Sequence, residues 1–208
     1  MNLTEKHQHI LYKAEELFAQ KGYDGSTVRD IALAAGVNLA MISYYFGSKE
    51  KLIETLFAER MGNIRLRIES VVNNTAINPF QKLEILIDQH IEGVFEKQPF
   101  YMVMLHEQML NKNEAILLSI RKYKLEFINL IKEVIDQGKK QELFKNDIDI
   151  MLLLTSMTGT VMQMLINKSH YKEFNNYGKM NCEAYEDLLK QKLSSHIKSL
   201  FKATLGYE

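Results

Sequence analysis

The sequence predicts an all-α protein: a three-helix head with a helix-turn-helix, residues 1–47, joined by a long helix to a larger helical body, residues 48–208. Three observations predict it. Apolar residues recur three and four positions apart along most of the chain, and no run alternates long enough for a strand. Capping residues and glycines stand where those periods start and stop. Within the first fifty residues, two short apolar periods flank Ala35-Gly36-Val37, a turn about which two short helices can brace each other.

Taken in order, Ile10, Ala14, Leu17 and Phe18 give a first helix one apolar face, and Gly22 stands where it ends. Thr27 opens a second helix, with Asp30 at the capping-box position and Val28, Ile31, Ala32 and Ala35 on one face. Gly36 ends it, and a third short helix follows. Ser48 is the expected N-cap of a fourth, Lys49 to Val72. Pro79 and Pro99 suit first helical turns. Asn113 precedes a helix carrying Ile116, Ile120, Tyr123, Phe127, Ile131 and Val134 and ending near Gly138, and Asp147 opens a nearly all-apolar one. Lys168 to Met180 reads as the longest loop. A final helix from about Glu183 shows a stripe of Tyr185, Leu189, Leu193, Ile197, Leu200 and Phe201.

Composition narrows function less than pattern does. Hydrophobic residues at 46% and charged residues at 25% exclude a disordered chain or a coiled coil. With 26 basic against 26 acidic residues the overall field favours no polyanion, and residues 1–61 hold seven Lys and Arg against eight Asp and Glu. DNA binding therefore has to come from local placement. A lone Cys182 and a polar, charged N-terminal segment without signal-peptide character point to a reducing cytoplasm. The uncharged run from Ile150 to Asn167 is shorter than the roughly 20 apolar residues of a membrane span, so a buried helix is expected.

In the second helix of the turn motif, Val37 and Ile42 face the first helix, which leaves Asn38, Leu39, Ala40, Ser43 and Tyr44 outward. Short or flat side chains let a helix backbone sit deep in a major groove. Leu39 suits a thymine methyl, and Asn38 a base edge. Thr27-Val28-Arg29-Asp30-Ile31-Ala32, Ala35-Gly36-Val37 and above all Tyr45-Phe46-Gly47-Ser48-Lys49-Glu50-Lys51-Leu52 closely resemble the TetR/AcrR family of transcriptional regulators, over roughly residues 8–57. The resemblance implies a cytoplasmic repressor that binds double-stranded operator DNA as a homodimer and is released by a small-molecule effector. It implies phosphate contacts at Thr27 and Lys49, the latter beside a helix N-terminus. Arg29 matches a position that reaches a base in some relatives; a solvated surface arginine is an equal reading. Ser43 departs from the family's usual Tyr, so the aromatic phosphate contact is lost or passes to Tyr44 or Tyr45. Packing under the recognition helix is favoured for Tyr45 and Phe46.

The same resemblance implies that the C-terminal helices hold a ligand pocket and that the last two form a four-helix bundle with a second subunit. Tyr101, Met104, His106, Tyr123, Phe127 and Met157 are the pocket candidates, since thioethers and aromatic rings adapt to varied apolar or amphipathic ligands, although core filling is the commoner role of such residues. Leu153, Met157, Thr160 and Met164, with Leu189, Leu193, Ile197 and Leu200, are the candidates for the dimer interface. Gly159, Ser156 and Thr160 permit close helix approach. A twofold dimer presents its recognition helices about 34 Å apart, near one duplex turn, and calls for a roughly palindromic operator. No metal, cofactor or catalysis is expected: His106-Glu107 lacks the second His of a zinc protease motif, and phosphate-loop, Gly-x-Ser-x-Gly and paired-Cys patterns are missing. An activator of the same fold and a helical protein-interaction module stay open as rivals.

Overall fold

The computed structural model describes residues 5–110 and 113–208, the side chain of residue 115 excepted. The first four residues, on which the signal-peptide expectation partly rests, lie outside the described residues. Among those described, the elements are α1 (Glu5–Lys21), α2 (Val28–Ala34), α3 (Leu39–Phe46), α4 (Lys49–Val72), α5 (Pro79–Glu96), α6 (Gln98–Leu110), α7 (Glu114–Lys140), α8 (Ile150–Ile166), α9 (Lys168–Phe174) and α10 (Cys182–Leu205), with no strand. The all-α expectation holds. No single helix among them is long and apolar enough to cross a membrane.

Compactness divides the chain elsewhere than at residue 47. One unit comprises residues 1–66 and 97–125, the other 67–96 and 126–208. In the first, α1 packs on both α2 and α6. Ile10, Leu11, Ala14 and Phe18 of α1 share a buried core with Ile31 of α2, Ile42 and Phe46 of α3, Leu52, Leu56 and Phe57 of α4, and Phe100 and Val103 of α6. The Phe57 and Phe100 rings meet at 5.3 Å. Each such side chain taken from water stabilises by roughly 1.5–3 kcal/mol, so the head's core is continuous with that of α6. Arg60 of α4 donates to Glu15 of α1 at 2.7 Å, and Glu15 is only 3% exposed. Removing either partner would strand a buried charge.

In the second unit α10 packs on α5 and α8. Its stripe of Tyr185, Leu189, Leu193, Ile197 and Phe201 is buried within the chain. Buried Lys82 of α5 donates to the Val72 carbonyl at 2.7 Å and to Gln137 Oε1 at 3.0 Å. An ammonium there satisfies an orphan carbonyl at the C-terminus of α4 and complements that helix's dipole.

Three boundaries differ from expectation, each for a physical reason. Asp149, rather than Asp147, caps α8 by accepting from Leu152 N–H at 2.9 Å. The expected loop after Asn167 begins with α9, whose seven residues bury nothing and so carry no apolar period to read. Helix α7 runs past Gly138 to Lys140, and the chain turns at Glu142 with φ 59°. Gly138 is required for packing: a Cβ there would lie 2.1 Å from the Phe144 ring. Gly138→Ala is expected to destabilise the protein by about 1–3 kcal/mol, the usual cost of overpacking, which chemical denaturation will measure.

Candidate nucleic-acid interface

The turn motif is held by backbone geometry first. Thr27 Oγ1 accepts from Asp30 N–H at 3.1 Å, while Asp30 Oδ2 accepts from Thr27 N–H at 2.9 Å and from its hydroxyl at 2.7 Å. These bonds, the side-chain one foremost, hold the Asp30 carboxyl below the usual carboxylate range. Helix α2 closes on Gly36 at φ 62°, with Val37 N–H donating to the Ala32 carbonyl at 3.0 Å. A Cβ on Gly36 would meet nothing within 4 Å, so glycine is favoured there by its left-handed backbone alone.

Helix α3 starts on Asn38, whose Oδ1 accepts from Met41 N–H at 2.9 Å. Ile42 and Phe46 are buried, while Leu39, Ala40, Ser43 and Tyr44 are exposed. The outward face is thus the one the helical period predicts. Tyr44 is 83% exposed and Leu39 40%. Tyr45 is half-buried, its ring edge-on to Tyr44 at 5.2 Å and 6.2 Å from Phe46. From α1, buried His7 places its imidazole 4.4 Å from Phe46 and edge-on to Tyr45 at 5.7 Å.

Thr27, Arg29 and Asn38 are also exposed, but two of them are partly engaged. The Thr27 hydroxyl proton is given to Asp30, and the Asn38 oxygen serves the helix cap, which leaves its amide N–H groups for a base or phosphate. Lys49 lies farther from expectation. Its ammonium sits 4.0 Å from the centroid of the Tyr23 ring, whose hydroxyl donates to Glu50 at 3.2 Å. Burial foremost, then Glu50, pushes the Tyr23 phenol up. Behind it, α6 braces the turn after α1: Glu107 is buried and its carboxyl pushed up by that burial, while accepting from the Tyr23 backbone N–H. Leu33 of α2, 83% exposed, is an outward apolar residue that the motif reading passed over. Its place off the Val28, Ile31, Ala32, Ala35 stripe was the available signal.

The body candidates separate. His106 is exposed, and its ring crowds Gly22, where a Cβ would approach it to 2.7 Å. It lies against the turn after α1. Tyr101 and Tyr123 are half-buried against the first unit's core, and Met104 is part of that core. Burial pushes the Tyr101 phenol up to about 12 and raises that of Tyr123 too. Phe127 is half-buried and belongs to the second unit, as does Met157, only 2% exposed. Of the residues expected to face a partner, Leu153, Met157, Leu189, Leu193 and Ile197 are at most 3% exposed within the single chain. The stripe marked a buried face, but α5 and α8 bury that of α10. Thr160 and Met164 instead line a groove of about 830 Å³ with Gly159, Gln163, Tyr171 and Phe174, and a second of about 630 Å³ with Lys192, His196 and Ser199 of α10. Leu200 is half-buried.

Known proteins match along most of this chain. Residues 10–56 match the family described as bacterial regulatory proteins, tetR family, and residues 57–191 match the YsiA-like protein C-terminal region. The fatty acid metabolism regulator protein of Bacillus subtilis (strain 168) is 26% identical over 156 residues, 75% of this chain and 79% of that protein. The solved structure of the fatty acid degradation regulator FadR from Bacillus halodurans is 26% identical, covers 93% of this chain and 97% of its own, and superposes with a TM-score of 0.67. The stearoyl-CoA complex of FadR from Bacillus subtilis shares the fold at 22% identity, with a TM-score of 0.67 over 92% of this chain and 97% of that one. With an exposed recognition helix on a Gly36 turn and a helical body matched through residue 191, the chain belongs to the tetR family of DNA-binding transcriptional regulators.

Proposed function

We propose that the protein is a cytoplasmic, homodimeric repressor that occupies a roughly palindromic operator and is released by an amphipathic effector bearing a long acyl chain. The observation that carries the reading is the outward face of α3, where Leu39, Ala40, Ser43 and Tyr44 are exposed while Ile42 and Phe46 anchor the helix from behind. Small side chains at the N-terminal end of such a helix bring its backbone close to base edges, and Leu39 offers apolar contact to a thymine methyl. Thr27, Arg29, Tyr45 and the amide of Asn38 flank this face as phosphate or base contacts. Lys49 joins them only by leaving the ring of Tyr23, which makes it a conditional contact. No catalytic step is assigned to the chain.

The effector class is supported by two relatives, named for fatty acid metabolism and degradation, at 26% identity. Tyr101 and Tyr123 are the proposed polar contacts for its head, because burial disfavours the charged form of both phenols and suits them to a neutral hydrogen-bonding group such as a thioester carbonyl. Regulation requires the effector to bind more tightly to conformations in which the two recognition helices are out of register with successive grooves. Moving a site from 99% occupied to 99% free needs about 5.5 kcal/mol of such discrimination.

The test is fluorescence anisotropy of the protein on DNA from upstream of its own gene, titrated with stearoyl-CoA, free coenzyme A and octanoyl-CoA. Stearoyl-CoA is expected to release the DNA at concentrations that leave it bound with coenzyme A. Release by none of the three from a well-formed complex would remove the acyl-chain assignment and leave DNA binding untouched.

A further inference from the structure

We propose that His7 is a positioning residue for DNA recognition: its neutral imidazole wedges the first turn of α1 against the last turn of α3 and fixes the rings that Tyr45 and Tyr44 present to the duplex. The inference rests on the reading of Tyr44 as a DNA contact.

Its basis is a run of ring contacts leading from a buried site to an exposed one. Phe46 is 5% exposed and anchors the end of α3. The His7 ring lies 4.4 Å from it and inclined by 37°. The same imidazole stands edge-on to Tyr45 at 5.7 Å and 85°, and Tyr45 stands edge-on to Tyr44 at 5.2 Å and 74°. Tyr44 is 83% exposed, so its orientation before DNA arrives depends heavily on the neighbouring ring. Edge-to-face pairs within 4.5–7 Å have a defined favourable geometry, and each ring in this series constrains the next. A side chain held in its bound orientation loses less freedom on binding, which preserves affinity. His7 therefore acts on DNA through Tyr45 and Tyr44 without touching it.

The wedge works in the neutral state. His7 is 6% exposed, and burial holds its imidazole below the ordinary value of about 6.5. The Glu59 carboxylate of α4 pulls the other way. Among the described residues, the groups around His7 that bear charge or titrate include the Tyr45 phenol on α3 and, on α4, Glu59, which is paired at 3.4 Å with Arg60. Glu59 Oε2 is buried with no hydrogen-bond partner, so a protonated His7 has a carboxylate to turn toward, away from the rings. Because the folded head favours the neutral form, the stabilisation is complete above the ordinary histidine value. It is lost as pH falls through the lower folded value.

The experiment compares the parent with His7→Ala, His7→Phe and Tyr44→Ala in anisotropy titrations on one operator duplex, at steps from pH 8 to pH 5.5. Thermal melts and tyrosine ring NMR of each free protein accompany them. His7→Ala is expected to weaken binding at pH 7.5 by about three- to tenfold, the range of one or two ring pairs, and to shift the Tyr44 and Tyr45 resonances. His7→Phe keeps a ring and cannot titrate. It is expected to restore affinity at pH 7.5 and to keep it at pH 5.5, where the parent weakens further than this variant. Parent-like affinity and unmoved Tyr44 resonances in His7→Ala would overturn the proposal. So would a pH profile in His7→Phe identical to the parent's, or a loss in His7→Ala that disappears at temperatures where its head is fully folded. Tyr44→Ala separates the two levels. If it binds as the parent does, the assignment of Tyr44 fails and takes the His7 role with it. If it weakens binding while His7→Ala does not, His7 alone is at fault.

Discussion

Gly159→Phe is expected to leave a folded monomer and to lower affinity for a two-half-site operator by about a hundredfold or more, the usual advantage of joining two binding modules. Helix α8 has two faces with different fates. Leu153, Leu154, Met157, Val161 and Leu165 are buried in the chain. Leu152, Ser156, Gly159, Gln163 and Ile166, spaced four, three, four and three residues apart, are exposed. Glycine inside a helix costs roughly 0.5–1 kcal/mol relative to alanine. A Cβ on Gly159 would meet nothing within 4 Å, so nothing in the chain itself requires a glycine. Close approach by a second subunit along the groove of Thr160, Met164 and Phe174 is the reason we assign. Leu152 at 65%, Ile166 at 51% and Phe174 at 79% exposure extend the same apolar surface, of the kind that marks a protein interface. Sedimentation velocity and operator titration of the variant check both halves; a stable dimer with parent affinity would place the interface elsewhere.

Tyr44→Ala is expected to cost about 1–3 kcal/mol of operator affinity, the worth of a good base contact, and to leave the melting curve nearly unchanged. The second half follows from exposure, since surface substitutions away from special features usually stay within about 0.5 kcal/mol. Salt tells what Tyr44 touches. A neutral phenol releases no counterion, so the slope of log affinity against log salt should be the parent's. Lys49→Ala is the contrast: it lowers that slope by about one only if the ammonium leaves Tyr23 for a phosphate. An unchanged Lys49→Ala slope would keep that lysine in the head's own packing.

Helix starts were legible because caps are local. Thr27, Ser48 and Asn113 each accept from a backbone N–H three residues on, and a residue and its third neighbour are visible in any sequence; Asn38, read as a base contact, caps α3 in the same way. The outward face of α3 was legible for a similar reason, from Val37 and Ile42, whose spacing sets the inward side. What lay hidden depended on partners distant in sequence. Lys49 meets Tyr23 from 26 residues away, and His7 meets Phe46 across 39. The stripe from Tyr185 to Phe201 showed that a face is buried but not by what; within the chain α5 and α8 pack on α10. Gly138 passed for a helix stop because Phe144 packs on it only after the chain has turned. Helix α9, with no buried residue, left no period at all.

The central claim is that α3 reads DNA, and the most direct measurement is anisotropy of the parent protein on DNA from upstream of its own gene at two salt concentrations. The account predicts a dissociation constant in the range of about 10⁻⁸–10⁻¹¹ M at physiological salt that weakens steeply as salt rises. No binding there, followed by no enrichment from a random palindrome library at low salt, would contradict it. The turn motif would then be a scaffold for protein contacts.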